Sequence, residues 1–168
     1  ERADIARALY DASFGTLTVE ESVEAAQMAL ALFEDAGDEL KAGAAESWLI
    51  MPAFQQGRQD EALEHGRRAI ARLEPFGETR ELAATHRQLG QVHWRRGDSE
   101  AADEHLRRAE RIAERIGARD IRAEAMQDLG VNLSQSGRPQ EALDTMEEAF
   151  RLAKEVGERA NLQRMYNN

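Results

Sequence analysis

The chain has 168 residues, 42% hydrophobic and 32% charged, with a formal net charge of −10 and a mean hydropathy of −0.65. So acidic a chain lacks the basic excess of a nucleic-acid surface, which argues against DNA or RNA as its partner. It has no cysteine, which excludes thiol catalysis, thiolate metal sites and disulfides.

No apolar run approaches membrane-spanning length and no signal peptide is visible, so a cytoplasmic location with no membrane contact is expected. The first residue is Glu1 rather than methionine, as expected of a piece of a longer protein.

Alanine, leucine, glutamate and arginine dominate and only three prolines occur, so helix is expected throughout. The first helix is expected at roughly 2–15 and the second at roughly 19–36. Thr18 and Glu21, at capping-box spacing, open the second helix, and Gly37 closes it. Further helices follow at roughly 39–56, 59–75, 79–96, 99–116, 119–136 and 139–156. Asp98 is the expected N-cap of one, and Pro139 suits the first position of another. Beyond Gly157 the chain enters a further first helix that it does not complete.

The spacing of the punctuation reveals a repeat. Gly37, Gly77, Gly117 and Gly157 are 40 residues apart, as are Gly57, Gly97 and Gly137, and as are Ala29, Ala69, Ala109 and Ala149. Such self-similarity marks a solenoid. The expected fold is therefore all-α, one domain over 1–168, with units at 1–37, 38–77, 78–117 and 118–157 and a partial capping helix at 158–168. The second helices carry an apolar stripe, Ala102, Leu106, Ala109, Ala113 and Ile116 in the third unit and Ala142, Met146, Ala149, Ala153 and Val156 in the fourth. One hairpin alone cannot bury that stripe, so neighbours must stack on it.

Leu89 and Gly90 are followed by Ala102, Leu106 and Ala109, and Leu129 and Gly130 by Ala142, Met146 and Ala149. These spacings resemble the tetratricopeptide repeat family, whose period is about 34 residues. The longer 40-residue period is similar to repeats that follow NTPase modules in bacterial signal-transduction ATPases, LuxR-type regulators and nucleotide cyclases. Ala31 to Leu40 and Leu73 to Gly77 look most like them. The resemblance implies a right-handed superhelical solenoid of antiparallel helix hairpins. The second unit departs from the pattern, with Ile50 in the glycine register, Pro52 two residues on, and Gly66 where Leu106 and Met146 stand later. A helix kinked between Trp48 and Pro52 and a locally repacked hairpin are expected there.

The resemblance also implies that the first helices line a concave, partner-facing surface. One such register holds Phe14, Phe54 and Trp94; they form either a ladder along a groove or packing between adjacent first helices. With Arg87, Gln91 and Arg95 on the helix of Trp94, and Gln127 and Asp128 from the next unit, they make the candidate groove. It suits a peptide or a helix. The carboxylate clamp known in this family needs an asparagine where Trp48 and Gln88 stand, so that clamp is not expected.

Nothing in the sequence points to catalysis. His65 and His105 are repeat equivalents, and His86 and His93 lie seven apart on one helix face, without metal-ligand spacing. They read as surface or half-buried packing residues. No carboxylate pair, phosphate loop or nucleophile elbow stands out. The pairs Arg67 with Arg68, Arg95 with Arg96 and Arg107 with Arg108 read as solvated faces. No enzymatic activity, cofactor or metal is expected. The leading expectation is an interaction or sensor scaffold within a bacterial signalling or transcription regulator. Its partner would be a protein or peptide, another domain of the same protein, or a second copy in a homodimer. A structural spacer or self-assembly element, and a small-molecule sensor, are the alternatives.

Overall fold

Helix ends recur at fixed places because the same hydrogen-bonded turn recurs. In a computed structural model, which describes the backbone of residues 18–166 and the side chains of 18–157, the helices are α1 (Val19–Asp35), α2 (Glu39–Ser47), α3 (Ile50–Gln55), α4 (Gln59–Leu73), α5 (Arg80–Arg95), α6 (Ser99–Arg115), α7 (Arg119–Gln135) and α8 (Pro139–Tyr166). A 3-10 turn, Glu74–Phe76, follows α4. The expected first helix at 2–15 lies outside the described residues.

Gly37, Gly57, Gly77, Gly97, Gly117 and Gly137 all have φ between 67° and 82°, the left-handed region in which a side chain is strained. At five of them the next N–H reaches back to a carbonyl five residues earlier, as from Asp98 to His93 and from Ala118 to Ala113. This closes the helix on its own last turn. Helix starts are capped as read from sequence at Thr18, whose hydroxyl accepts from the Glu21 N–H while the Glu21 carboxylate accepts from the Thr18 N–H. Asp98 likewise accepts from the Ala101 N–H.

Successive helices pack as antiparallel hairpins, and the hairpins stack in order. Between units the core is continuous: Leu73, Leu82, Ile112, Ala113, Ala118 and Ile121 form one buried cluster drawn from α4 to α7.

Within a hairpin the helices meet at a glycine. A Cβ on Gly90 of α5 would lie 2.5 Å from the Leu106 Cγ of α6, and one on Gly130 of α7 would lie 2.5 Å from the Met146 Cγ of α8. Neither leaves room for a methyl group. The second unit exchanges the sizes: Ile50, fully buried, holds the first-helix position, and Gly66 holds the second-helix one. Leu89 of the following unit takes the space at Gly66, 2.3 Å from where its Cβ would stand, and shares a cluster with Ile50. The departures at 50 and 66 are thus one compensated repacking. The expected kink is also present, since α2 stops at Ser47 and α3 begins at Ile50, two residues before Pro52.

One boundary differs from the sequence reading. Gly157 was expected to end a helix, with a separate capping helix at 158–168, but α8 runs unbroken from Pro139 to Tyr166. Gly157 has no positive φ. Glycine permits a reversal but does not impose one. The turn at Gly117 is backed by Ala118 and Ile121, which bury behind it; the same registers hold Glu158 and Asn161. Without that apolar backing the chain stays helical.

A Gly157→Ala substitution should therefore raise stability by about 0.5–1 kcal/mol, the helix-propensity gain of alanine over glycine. Gly117→Ala, at φ 71°, should lower it. Urea unfolding followed by circular dichroism reads both; a loss of stability in the Gly157 variant would restore the turn.

Candidate binding groove

The inner surface is built by the first helices of consecutive units. Residues Ala44 and Ser47 of α2 and Trp48 at its C-terminal cap, Arg80, Glu81, Ala84 and Gln88 of α5, and Ile121 of α7 line one cavity of about 180 Å³. A second cavity of about 100 Å³ adjoins it, sharing Ala44, Trp48 and Glu81 and adding Phe33, Leu40 and Lys41. Three units thus contribute to one continuous depression. The Gln88 Oε1 is buried with no hydrogen-bond partner. An acceptor in that state costs free energy until a donor reaches it.

Rungs between α5 and α7 tie this face together. Arg80 makes a bidentate pair with Asp120, at 2.6 and 3.0 Å. Arg87 donates to Asp128 at 3.0 Å and pairs with Glu124 at 3.2 Å, and Gln91 donates to the same Asp128 oxygen at 2.8 Å. The Trp94 indole N–H donates to Gln135 at 2.8 Å. Asp128 holds two donors because it is only half exposed and flanked by both.

The candidate residues fall into two groups. Arg87, Gln91 and Asp128 form the rung just described. Phe54, Trp94 and Arg95 form a second set: the Arg95 guanidinium lies 5.8 Å from the Phe54 ring centre and 5.9 Å from that of Trp94. Both readings of the aromatics hold in part. Phe54 packs on Ile50, Ala53 and Leu89, and Trp94 packs on Leu106, Leu129 and Leu133. Each is half-buried. They do not touch as a bare ladder; the arginine bridges them. Gln127 is exposed and stands apart, beside Val131, Met146 and Phe150 in an open groove of about 420 Å³ at the end of the stack. Phe14 lies outside the described residues.

Sequence reasoning missed Ala44 and Ala84 as groove residues; their small size at first-helix registers was the available signal. It also missed a pair of buried polar contacts that repeat. Glu46 and His65 meet at 2.7 Å, and at the same registers one unit later His86 and His105 meet Nδ1 to Nδ1 at 2.9 Å. Burial pushes the Glu46 carboxyl up, but the His65 hydrogen bond and Arg68 outweigh it and hold it below its usual value. His86 is pushed down to about 4 by burial, then by His105, Arg108 and Arg111. His105 is lowered by burial and by His93, whose ring stacks on it at 5.4 Å. One imidazole donates and the other accepts, so both are neutral. Among the described residues no group of three His, Asp or Glu is placed to hold a metal ion. No described helix is long and apolar enough to cross a membrane.

The fold and groove agree with what the chain matches. The tetratricopeptide repeat family matches at residues 41–115 and 81–155, more than half of the chain. The chain belongs to the tetratricopeptide repeat family. A search of curated proteins finds no match. Among solved structures, a Rap protein complexed with competence and sporulation factor is similar at TM-score 0.83 and 17% identity, over 98% of this chain and 47% of that one. The apo form of RapI is similar at TM-score 0.79 and 14% identity, over 94% of this chain and 57% of that one. MamA is similar at TM-score 0.63 and 17% identity, over 93% and 81%. The chain thus spans about half the length of the two Rap structures. Identities this low speak to the fold alone.

The histidine pair makes stability depend on pH. A group whose pKa is lowered on folding binds more protons when unfolded. Stability is therefore complete above the ordinary histidine value of about 6.5 and drains as pH falls towards about 4. Between pH 7 and about 4.5 the expected loss is on the order of 2 kcal/mol. The double variant His86→Met/His105→Thr, which copies Met126 and Thr145 at the same registers, should be flat over that range. Thermal melts across pH check this; equal slopes for the two proteins would contradict it.

Proposed function

We propose that this domain binds a peptide segment or a helix of a partner protein along the groove formed by its first helices, and that it binds rather than catalyses. The observation that carries this is the single cavity lined by α2, α5 and α7 together, in which polar side chains such as Arg80, Glu81 and Gln88 stand beside apolar ones. A peptide that combines backbone polar groups with side chains suits such a lining. The family supports the same reading, since tetratricopeptide repeats typically mediate protein–protein interaction. So does the similar Rap structure, which is complexed with competence and sporulation factor. The 40-residue period resembles that of repeats in bacterial signalling and transcription regulators, and this supports a role as a module of such a regulator in the cytoplasm, with another domain of the same protein as a further partner.

Self-association is a second reading, favoured by one observation. Phe150 is 74% exposed and Leu143 52% exposed on α8, beside the open end groove. A contiguous apolar face of that kind is where a second copy would dock.

Affinity capture with the wild type and with Arg80→Ala/Glu81→Ala/Gln88→Ala tests the groove. The triple variant should retain less than about a tenth of the captured partner, as loss of several central contacts implies, while its helical circular dichroism is unchanged. Undiminished capture would remove the groove from the account. Sedimentation of the same preparations separates the second reading, which requires a dimer that Phe150→Ser dissociates.

A further inference from the structure

Arginine on this surface is almost always already neutralised. Along the groove-forming helices Arg80 is held by Asp120, Arg87 by Asp128 and Glu124, Arg119 by Glu155, and Arg122 by Glu110 and Glu114. Arg95 is different. It is exposed, and no carboxylate among the described residues pairs with it; its contacts are the faces of Phe54 and Trp94. Arg108 and Arg111 on α6 also pair with no carboxylate among the described residues, so the contrast is with the other arginines of the groove-forming helices.

Its surroundings hold it in place. Phe54 is anchored in the cluster of Ile50, Ala53 and Leu89, and Trp94 in that of Leu106, Leu129 and Leu133. The Trp94 ring is fixed further by its hydrogen bond to Gln135. A guanidinium within about 6 Å of two anchored rings and without a carboxylate partner among the described residues keeps N–H donors for a ligand, with less side-chain entropy left to lose on binding. That edge matches a carboxylate bidentately.

We infer that Arg95 is a specificity residue of the groove, receiving a glutamate or aspartate side chain of a bound peptide whose flanking residues are apolar. The inference rests on the groove reading above and adds the chemistry of its ligand. The two half-buried rings beside the guanidinium offer apolar contacts to residues that flank the acid. That favours an internal acidic residue over a terminal carboxylate. A polyanion is disfavoured, because Glu124, Asp128 and the net charge of −10 repel it.

Selection from a random twelve-residue phage-displayed peptide library tests this, with wild type, Arg95→Gln and Arg95→Lys in parallel. Arg95 is exposed, so each variant should keep its helical spectrum. Wild type should enrich peptides with one acidic residue between apolar ones. Synthetic copies should bind Arg95→Gln about tenfold or more weakly, as expected when a charge-assisted pair is lost, and Arg95→Lys in between. Changing the peptide acid to its amide should weaken binding to wild type and make no further difference to Arg95→Gln. Enriched peptides without the acid, equal binding by Arg95→Gln, or a preference for a C-terminal acid would overturn the inference and leave the groove standing. Enrichment of no peptide family at all would overturn the groove reading itself.

Discussion

The close approach of the two helices in each hairpin, side chain against bare glycine, is the contact on which the rest depends. Leu106 sits on Gly90 and Met146 on Gly130 with no space for a methyl group between them. That contact fixes the distance between first and second helix, and so the angle at which each unit meets the next. The second unit shows that the volume matters rather than the location of the glycine. Ile50 and Gly66 exchange roles, and Leu89 enters from the neighbouring unit to complete the packing. Volume-conserving exchanges are the ones a close-packed interior tolerates.

With the hairpins set, adjacent first helices are brought side by side, and polar side chains can reach across. The rungs from α5 to α7 span one repeat or one residue more: Arg80 to Asp120, Arg87 to Asp128, Trp94 to Gln135. They leave a face whose floor is small residues, Ala44 and Ala84, and whose walls are aromatic or amide, Trp48 and Gln88. The same regularity places Glu46 with His65 and His86 with His105. A single register thus carries a charge-assisted pair in one unit and a neutral, pH-sensitive pair in the next.

Much of this was legible in the sequence because the repeat is written in residues with strong local effects. Glycine at 37, 77 and 117 marks turns, Thr18 and Asp98 cap helices, and Pro52 breaks one. The reading failed at Gly157, since a glycine alone does not determine whether apolar residues will back a turn. The groove was legible as a register but not as contacts. In sequence Arg87 and Asp128 read as bordering one groove, yet their mutual neutralisation, and the absence of any such partner for Arg95 among the described residues, depend on side-chain positions across 40 residues. The division of Phe54 and Trp94 between core and groove likewise required the packing of neighbouring units.

The central claim is that recognition occurs on the first-helix face and nowhere else. The lack of native cysteine allows a direct test. Single cysteines at Ala44, Ala84 or Gln88 on that face, and at Arg67 or Arg111 on second helices, would each be coupled to a bulky maleimide after folding. Binding of a selected peptide would then be measured by fluorescence anisotropy. The account predicts that labels at 44, 84 and 88 abolish binding while labels at 67 and 111 leave it unchanged. Binding that survives all three inner labels, or is lost with the second-helix ones, would contradict it.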